Sequence, residues 1–202
     1  MTTVGLVRHG VTEWNKLMKA QGLSDIPLDE TGKDQVHALG RRLAAEEEWD
    51  IIVSSDLKRA AETAQIIAEA TGHPNVICDE RIREIDCGMI EGTTEDDRQG
   101  KWGADWRSLD LGMEKREAVA KRGITFLNEI IEKYEGKRVL VVSHGAFIGI
   151  TLQYLLPERF QRTLIENTAI TILKHIDNVW DCTLYNCIKH IAADKLSVKE
   201  LN

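Results

Sequence analysis

Two histidines in this chain stand at the ends of apolar runs, and each is followed by a glycine. The first run leads into Arg8, His9 and Gly10, and the second leads into His144 and Gly145. Continuous runs of Val and Leu predict strands buried on both faces, and parallel strands of that kind present ligands at their carboxyl ends. Since both imidazoles would then lie at one edge of the sheet beside a permanent cation, the sequence predicts an anion-binding site.

The turn that follows the first strand adds a hydroxyl and an amide, from Thr12 and Asn15. A neutral histidine attacks phosphorus when one ring nitrogen is held by a hydrogen bond and the other faces the phosphate. Cations must also offset the repulsion of the anion, and Arg8 is placed to do so. We therefore interpret His9 as a candidate nucleophile for phosphoryl transfer.

A second arginine falls where a helix should begin. Arg59 follows Ser54, Ser55 and Asp56, which are residue types that cap helices. A cation in the first helical turn opposes the helix dipole, so its position suggests contact with a bound anion rather than a role in helix stability.

Cleavage of a phosphate ester also needs a proton for the leaving oxygen, which a carboxyl group can supply. The segment 81–92 places carboxylates beside glycine-rich backbone. Spacing alone allows Glu84, Asp86 or Glu91 to take this role.

Strand and helix patterns alternate along the chain, which predicts an α/β fold with a mostly parallel sheet. Helices are predicted over residues 31–47 with Thr31 as N-cap, 54–70, 113–134 and 145–155. Besides the two strands that end in histidine, short strands are predicted at 50–53 and 75–78. The last two, 169–175 and 179–185, should pair as an antiparallel hairpin around Asp177 and Asn178.

The length of 202 residues fits a single domain over residues 1–202, with a lid-like insertion at about 86–112. Polar and aromatic side chains of this region would line a substrate pocket, or else its tryptophans would pack the lid onto the core. The residues concerned are Lys101, Trp102, Trp106, Arg107 and, just beyond, Arg116.

Composition excludes several classes of partner. A net charge of −7 and a pI near 5.4, without a basic stretch, argue against nucleic acid and against an anionic membrane. The four cysteines show no zinc-like spacing and predict free buried thiols in a reducing compartment. With no signal-peptide pattern and no membrane-length apolar run, we expect a soluble cytoplasmic protein. A homodimer formed through the last, edge strands is left open.

Taken together, these segments resemble the histidine phosphatase superfamily, the group that includes phosphoglycerate mutase. The resemblance is carried by Arg-His-Gly-x-Thr-x-Trp-Asn at 8–15, the loop at 21–28, Ser-x-Leu-x-Arg-Ala-x-x-Thr-Ala at 55–64, Arg-Glu before Gly-x-x-Glu-Gly at 83–92, Ser-His-Gly at 143–145 and Glu-Asn-Thr-Ala at 166–169. It implies a three-layer α/β/α fold and a phosphohistidine mechanism that needs no metal and no other cofactor.

The resemblance also implies a role for each matched residue. His9 would be phosphorylated, Arg8, Arg59 and a protonated His144 would form the phosphate pocket, and Glu84 would donate the proton and then activate water. Further substrate contacts would come from Asn15, Gln21, Gly22 and the amide of Gly145 or Ala146.

Within the family, this chain is closer to the phosphatases than to the mutases. Mutases that use a bisphosphate cofactor have a lysine where Glu95 stands here, and an arginine pair that is reduced here to Trp106, Arg107 and Ser108. We therefore expect hydrolysis of a small phosphorylated metabolite, with a bisphosphoglycerate-dependent phosphoglycerate mutase as the alternative and a non-catalytic phosphate-binding protein as a third reading. Candidate substrates are nucleotide-loop phosphates of cobalamin synthesis, sugar phosphates, phosphoglycerate and phosphoserine.

Overall fold

The computed structural model describes residues 1–46, 48–73 and 75–192, and in them six strands form one sheet. The strands are β1 Thr2–Arg8, β2 Ile51–Ser54, β3 Val76–Cys78, β4 Arg138–Ser143, β5 Ile170–Ile176 and β6 Val179–Cys187, in the order β3-β2-β4-β1-β5-β6. Strands β3, β2, β4 and β1 run parallel to one another, whereas β5 is antiparallel to β1 and β6 to β5. The predicted mostly parallel mixed sheet is confirmed.

Helices cover both faces of this sheet. They are α1 Glu13–Lys16, α2 Glu30–Glu46, α3 Lys58–Thr71, α4 Glu95–Trp102, α5 Arg116–Lys133 and α6 Gly145–Leu155, with single 3₁₀ turns at Glu80–Ile82, Gly88–Ile90 and Trp106–Ser108. Alternation along β4 shows how the layers form, because Leu140 and Val142 pack with α2 and α3, while Val139 and Val141 pack with α5 and α6. The structure is therefore the three-layer α/β/α arrangement that the resemblance implies.

Three helices, α2, α3 and α5, begin at other residues than the sequence predicted. Helix α2 starts at Glu30, so Thr31 is not its N-cap, and Asp29 Oδ1 instead accepts the Gly32 amide at 2.7 Å. The predicted end of this helix, residue 47, lies outside the described residues. Helix α5 begins at Arg116 rather than at residue 113.

The start of α3 depends on a distant loop. The helix begins at Lys58 rather than at 54, and the Lys58 amide donates to Asp25 Oδ1 at 2.7 Å. Ser55 contributes one weaker bond, from the Leu57 amide to its hydroxyl at 3.3 Å. The loop at 21–28 is thus tied to the helix that carries Arg59.

The β5–β6 hairpin agrees with its predicted turn. Asp177 and Asn178 have φ angles of 50° and 62°, in the left-handed region that a two-residue turn between twisted strands requires. Both are residue types that tolerate this conformation.

The region predicted to be lid-like packs firmly onto the rest of the molecule. Cys87, Ile90, Trp106 and Leu111 belong to the same core cluster as α5 and α6, and Trp106 is only 5% exposed. The interpretation that the tryptophans pack this region onto the core is therefore confirmed for Trp106. Opening as a lid stays a prediction.

The structure also bears on the expected burial of the cysteines and on the expected lack of a membrane-spanning segment. All four cysteines are free, and Cys87 and Cys182 are buried as predicted. Cys78, at the end of the edge strand β3, is exposed and Cys187 is only partly buried, so the prediction of buried thiols is wrong for these two. In the part of the chain that the structure describes, no helix has both the length and the apolar character needed to cross a bilayer.

Candidate active site

The His9 ring lies at the end of β1 and is 2% exposed. Its Nδ1 is 2.7 Å from the Gly10 carbonyl oxygen, so this nitrogen carries the proton and donates it. The Gly10 amide in turn donates to Thr63 Oγ1 of α3 at 3.1 Å, which holds the turn in place. Because Nδ1 is a donor, Nε2 keeps its lone pair, as a nucleophile requires.

His144 faces His9 from the neighbouring parallel strand. Arg8 pairs with Ser143 in the β1–β4 register, and the ring centroids of the two histidines are 5.2 Å apart. His144 Nε2 lies 2.9 Å from Ser55 Oγ, and that hydroxyl already accepts the Leu57 amide, so it can donate to Nε2. When Ser55 donates to Nε2, the ring proton is on Nδ1, and Nδ1 is buried without a hydrogen-bond partner among the described residues.

Arg8 leaves a second buried donor at the site. Its Nη1 donates to the Ile165 carbonyl at 2.6 Å, whereas its Nε is buried without a partner in the described structure. A Cβ at position 145 would lie 3.1 Å from Arg8 Nε. Glycine after His144 therefore lets the guanidinium lie directly against the start of α6.

Arg59 is fully buried and holds the loop opposite. Its two terminal nitrogens donate to the carbonyls of Gly22 and Ser24, at 2.8 and 2.7 Å, and its Nε has no acceptor within the described residues. Gly22 has a φ of 47°, and a Cβ there would lie 2.0 Å from Glu91 Oε1. The structure thus uses Gly22 for close packing and for its carbonyl on Arg59, and the substrate contact expected from the sequence stays a prediction.

Electrostatics keep both histidines neutral in the ligand-free protein. Burial lowers the pKa of His9 well below its usual value, and the charges of Arg8 and Arg59 lower it further. The pKa of His144 is lowered in the same way, by burial first and then by Arg59, His9 and Arg8. A buried cation beside two arginines is unfavourable, so His144 is neutral in the free site, and a protonated His144 with a phosphoryl group bound stays a prediction.

Glu84 is held at the N-terminus of α6. Its Oε1 accepts the amides of Ile85 and Phe147, at 3.0 and 2.8 Å, and its Oε2 accepts the amide of Ala146 at 3.1 Å. Of the two amides expected to contact substrate, that of Ala146 binds this carboxylate, and the contact from Gly145 stays a prediction. The negative charge of Glu84 also acts on both Arg8 and Arg59, so it belongs to the same site.

The other two carboxylates that spacing allowed are used elsewhere. Asp86 Oδ1 accepts the Gly88 amide at 2.7 Å in a local turn. Glu91 binds the loop at 21–28, accepting the amides of Leu23 and Ser24 at 2.7 and 3.0 Å. Of the three, Glu84 is therefore the carboxylate that the structure holds at the start of α6, in the cavity that Arg8 also lines.

Asn15 and Gln21 order the turn after His9. Asn15 Oδ1 accepts the amide and hydroxyl of Thr12, both at 3.1 Å, and Gln21 Oε1 is 3.0 Å from the same hydroxyl. Asn167 joins this network, donating from Nδ2 to the His9 carbonyl at 3.0 Å. Asn167 belongs to the Glu-Asn-Thr-Ala motif at 166–169, but the sequence analysis did not predict it as a site residue. This motif was the signal that could have identified it.

Two cavities flank Glu84. The first, about 340 Å³, begins at Arg8, Glu84 and Gly145 and extends along α6 to Arg116 and Gln153, which are hydrogen-bonded to each other. The second, about 400 Å³, lies on the opposite side, and its lining includes four carboxylates but only two arginines; these are Glu80, Glu84, Asp86, Glu114, Arg83 and Arg122.

One cation of the lid region, Arg107, is bound to a carboxylate of the same region. Arg107 donates to both oxygens of Glu95, at 3.0 and 2.8 Å, and Trp106 Nε1 donates to the same carboxylate at 3.0 Å. Hydrogen bonds from Gln99 and Trp106, together with Arg107, lower the pKa of Glu95 to about 2. Arg107 is thus bound to a carboxylate of the protein itself.

Comparison with known sequences identifies relatives over nearly the whole chain. Residues 4–188 match the family described as histidine phosphatase superfamily (branch 1). The chain is 36% identical to a protein of Bacillus subtilis named uncharacterized phosphatase PhoE, over 95% of this chain and 98% of the relative. It is 33% identical to a probable phosphoglycerate mutase GpmB of Yersinia enterocolitica, over 89% of this chain and 88% of that protein.

Solved structures show the same arrangement of elements. Bacillus stearothermophilus YhfR superposes with a TM-score of 0.83 and 30% identity, covering 95% of this chain and all of the other. A phosphoserine phosphatase variant of Entamoeba histolytica in complex with phosphoserine superposes with a TM-score of 0.79, also at 30% identity and with 95% of this chain and 100% of that chain covered. The fold of this chain therefore agrees with that of both solved structures.

Proposed function

The chain belongs to the histidine phosphatase superfamily and is a phosphatase, and from this premise we propose that it hydrolyses a small phosphomonoester, without a metal ion, through a phosphohistidine on His9. The observation that carries the proposal is the hydrogen bond from His9 Nδ1 to the Gly10 carbonyl, which leaves Nε2 as the nucleophile. Enzymes that resemble this chain pass the phosphoryl group either to water, as phosphatases do, or to another hydroxyl, as mutases do.

In the first step, Nε2 of His9 attacks phosphorus, and the bond between phosphorus and the ester oxygen breaks. The unpartnered donors of Arg8, Arg59 and His144 supply hydrogen bonds and charge for the transferring phosphoryl group. Two buried guanidiniums beside the nucleophile provide the positive charge that a metal ion provides in other phosphatases, and this supports metal independence. Glu84, in its protonated form, gives its proton to the leaving oxygen.

In the second step, water replaces the histidine. Glu84, now a carboxylate, takes a proton from a water molecule as that water attacks phosphorus. The bond between phosphorus and Nε2 breaks, inorganic phosphate leaves, and Glu84 is protonated again for the next cycle. One carboxyl group thus serves both steps, as its place beside His144 and Arg8 allows.

We assign the alcohol part of the substrate to the cavity that ends at Arg116 and Gln153. It starts at Arg8 and Glu84, and it offers a cation at its far end, whereas the opposite cavity is lined mainly by carboxylates. Arg116 makes no salt bridge within the described residues, so it remains available to an anion. These features favour a phosphorylated hydroxy acid, such as phosphoserine, which a similar structure contains.

We favour water as the acceptor of the phosphoryl group because of a contact within the lid region. A mutase must hold a second phosphorylated acid in place of water, and cations in this region would serve that purpose. Here Glu95 occupies both donors of the Arg107 fork. The mutase function suggested by the relative from Yersinia enterocolitica is the alternative outcome of the experiment below.

The decisive experiment measures phosphate release from p-nitrophenyl phosphate and from phosphoserine in the presence of EDTA. We expect activity to persist in EDTA and to be lost in His9→Ala. His37→Ala, which changes an exposed histidine on α2, is the matched control and should retain activity. Activity in His9→Ala, loss in EDTA, or efficient isomerisation of 3-phosphoglycerate with little phosphate release would contradict the proposal.

A further inference from the structure

One guanidinium outside the phosphate pocket has an acceptor for every donor. Arg122, from the middle of α5, donates to the backbone carbonyls of Arg81 and Arg83, both at 2.7 Å, and of Glu84 at 3.1 Å. Its other two donors bind the two oxygens of Glu114, each at 2.9 Å. An arginine side chain has five N–H donors, so this side chain is fully saturated.

These bonds converge on the segment that presents Glu84. Arg122 holds the carbonyl of Glu84 itself and those of two preceding residues, while the carboxylate of Glu84 is held by the amides at the start of α6. The Arg122 guanidinium carbon also lies 4.9 Å from the centroid of the Phe147 ring, and the Phe147 amide is one of those that bind Glu84. Arg122 thus contacts both sides of the framework around this carboxyl group.

Glu114 holds Arg122 in the orientation that these contacts require. Its Oε2 also accepts the Asp86 amide at 3.2 Å, so it extends the same framework past Glu84. Burial alone would raise the pKa of Glu114, but the hydrogen bonds and charge of Arg122 bring it below its usual value. The charge of Arg122 is balanced by Glu114 and is the last of the causes that lower the pKa of His144, whereas all five of its N–H donors are bound to the protein, so its main action on the site is geometric.

We propose that Arg122, oriented by Glu114, is a positioning residue that keeps Glu84 where it can protonate the leaving oxygen. The inference rests on the proposed function, because it takes Glu84 as the proton donor. Lysine at position 122 would keep the charge but provide only three donors without the planar fork, so it cannot hold three carbonyls and a carboxylate together.

A leaving-group comparison separates this role from a merely structural one. Phosphoserine releases an alkoxide, which needs a proton, whereas p-nitrophenyl phosphate releases a stable phenolate, which does not. General acid catalysis is worth about 10²- to 10⁴-fold. A misplaced Glu84 therefore slows the first substrate much more than the second, while general loss of structure slows both alike.

The experiment compares kcat/KM for both substrates in wild type, Arg122→Lys, Glu114→Gln and Glu84→Gln. We expect Arg122→Lys to lose at least about tenfold on phosphoserine and less than about threefold on p-nitrophenyl phosphate, the pattern of Glu84→Gln in weaker form. Arg42→Lys is the matched control, since Arg42 is an 8% exposed guanidinium on α2 that binds Glu46, and both substrates should be unaffected. Glu114→Gln should show the same selectivity and keeps the test available where Arg122→Lys does not fold.

A double variant completes the test. If Arg122 acts through Glu84, adding Arg122→Lys to Glu84→Gln should cause no further loss on phosphoserine. Equal losses on the two substrates, or losses that multiply in the double variant, would overturn the inference. Neither result depends on His9, so failure of the proposed function would be recognised separately, by activity in His9→Ala.

Discussion

The phosphate pocket and the framework around Glu84 lie side by side, yet their hydrogen-bond donors are arranged in opposite ways. In the pocket, Arg8 Nε, Arg59 Nε and His144 Nδ1 are buried without an acceptor among the described residues. In the framework, every donor of Arg122 is bound to the protein. Both regions use arginine, and only the use of its donors differs.

This difference separates side chains that bind the phosphoryl group from side chains that position Glu84. A buried donor without a partner costs about 1–3 kcal/mol, so several of them together are tolerated where a ligand satisfies them. A saturated guanidinium gains nothing from a ligand but fixes the backbone around it. The contrast predicts that changes in the pocket affect every phosphate ester, whereas changes in the framework depend on the leaving group.

The largest effect is expected from Arg8→Lys, which removes one of the unpartnered donors. The phosphoryl group is common to all substrates, so kcat/KM should fall by about 10²- to 10³-fold for both phosphoserine and p-nitrophenyl phosphate. Steady-state kinetics with the two substrates provide the measurement. A loss confined to phosphoserine would show that Arg8 belongs to the framework, and the comparison would fail.

An anion bound in the phosphate pocket should stabilise the folded protein, because it accepts hydrogen bonds from the buried donors there. Vanadate at about 100 times its Kd would add about 2.7 kcal/mol and raise Tm by roughly 5–10 °C for a chain of this size. Thermal unfolding should show this shift in wild type and in Arg122→Lys, but a much smaller one in Arg8→Lys. An equal shift in both variants would contradict the distinction drawn here.

The neutral histidines should make stability depend on pH. Because the pKa of His9 and of His144 is lower in the folded state than in the unfolded state, unfolding takes up protons below pH 6.5. Their contribution is complete above that pH and is lost as the pH falls towards the folded values, at up to about 1.4 kcal/mol per pH unit for each histidine. Urea unfolding of wild type at pH 7 and 5.5 measures the slope. His144→Ala should flatten it, and a change no larger than in His37→Ala would refute this account.

The smallest expected effect concerns the far end of the substrate cavity. Arg116→Gln should raise KM for phosphoserine by about tenfold, equivalent to about 1.4 kcal/mol, and leave p-nitrophenyl phosphate unchanged. Arg107→Gln is the matched control, because Glu95 already neutralises that cation. If Arg107→Gln weakens phosphoserine binding and Arg116→Gln does not, the acid group lies under the lid region instead.

Much of the fold and of the pocket could be predicted from local sequence. The alternation of Val139 to Val142 between the two helical layers follows directly from the two-residue period of a strand. The positions of His9 and His144 at one edge follow because both end parallel strands. The period of a strand and the residue at its end are local features that the sequence carries, whereas the pairing of β1 with β4 brings the two histidines together.

The choice among the three carboxylates could not be made in this way. Glu84, Asp86 and Glu91 lie within one short segment, and their spacing is compatible with the same role. The structure assigns Glu91 to a loop 67 residues earlier and Glu84 to amides 62 residues later. Contacts over that separation depend on how the layers pack, which no local pattern records.

The sequence by itself therefore determined the strands, the helices and the residue types that handle phosphate, because periodicity and motif are local properties. Tertiary structure alone decided that Asp25 caps the helix of Arg59, that Arg122 holds the carbonyl of Glu84, and that both histidines are neutral. The physical reason is that hydrogen-bond partners and burial depend on groups distant in the chain, and these meet only once the sheet and its helices are assembled.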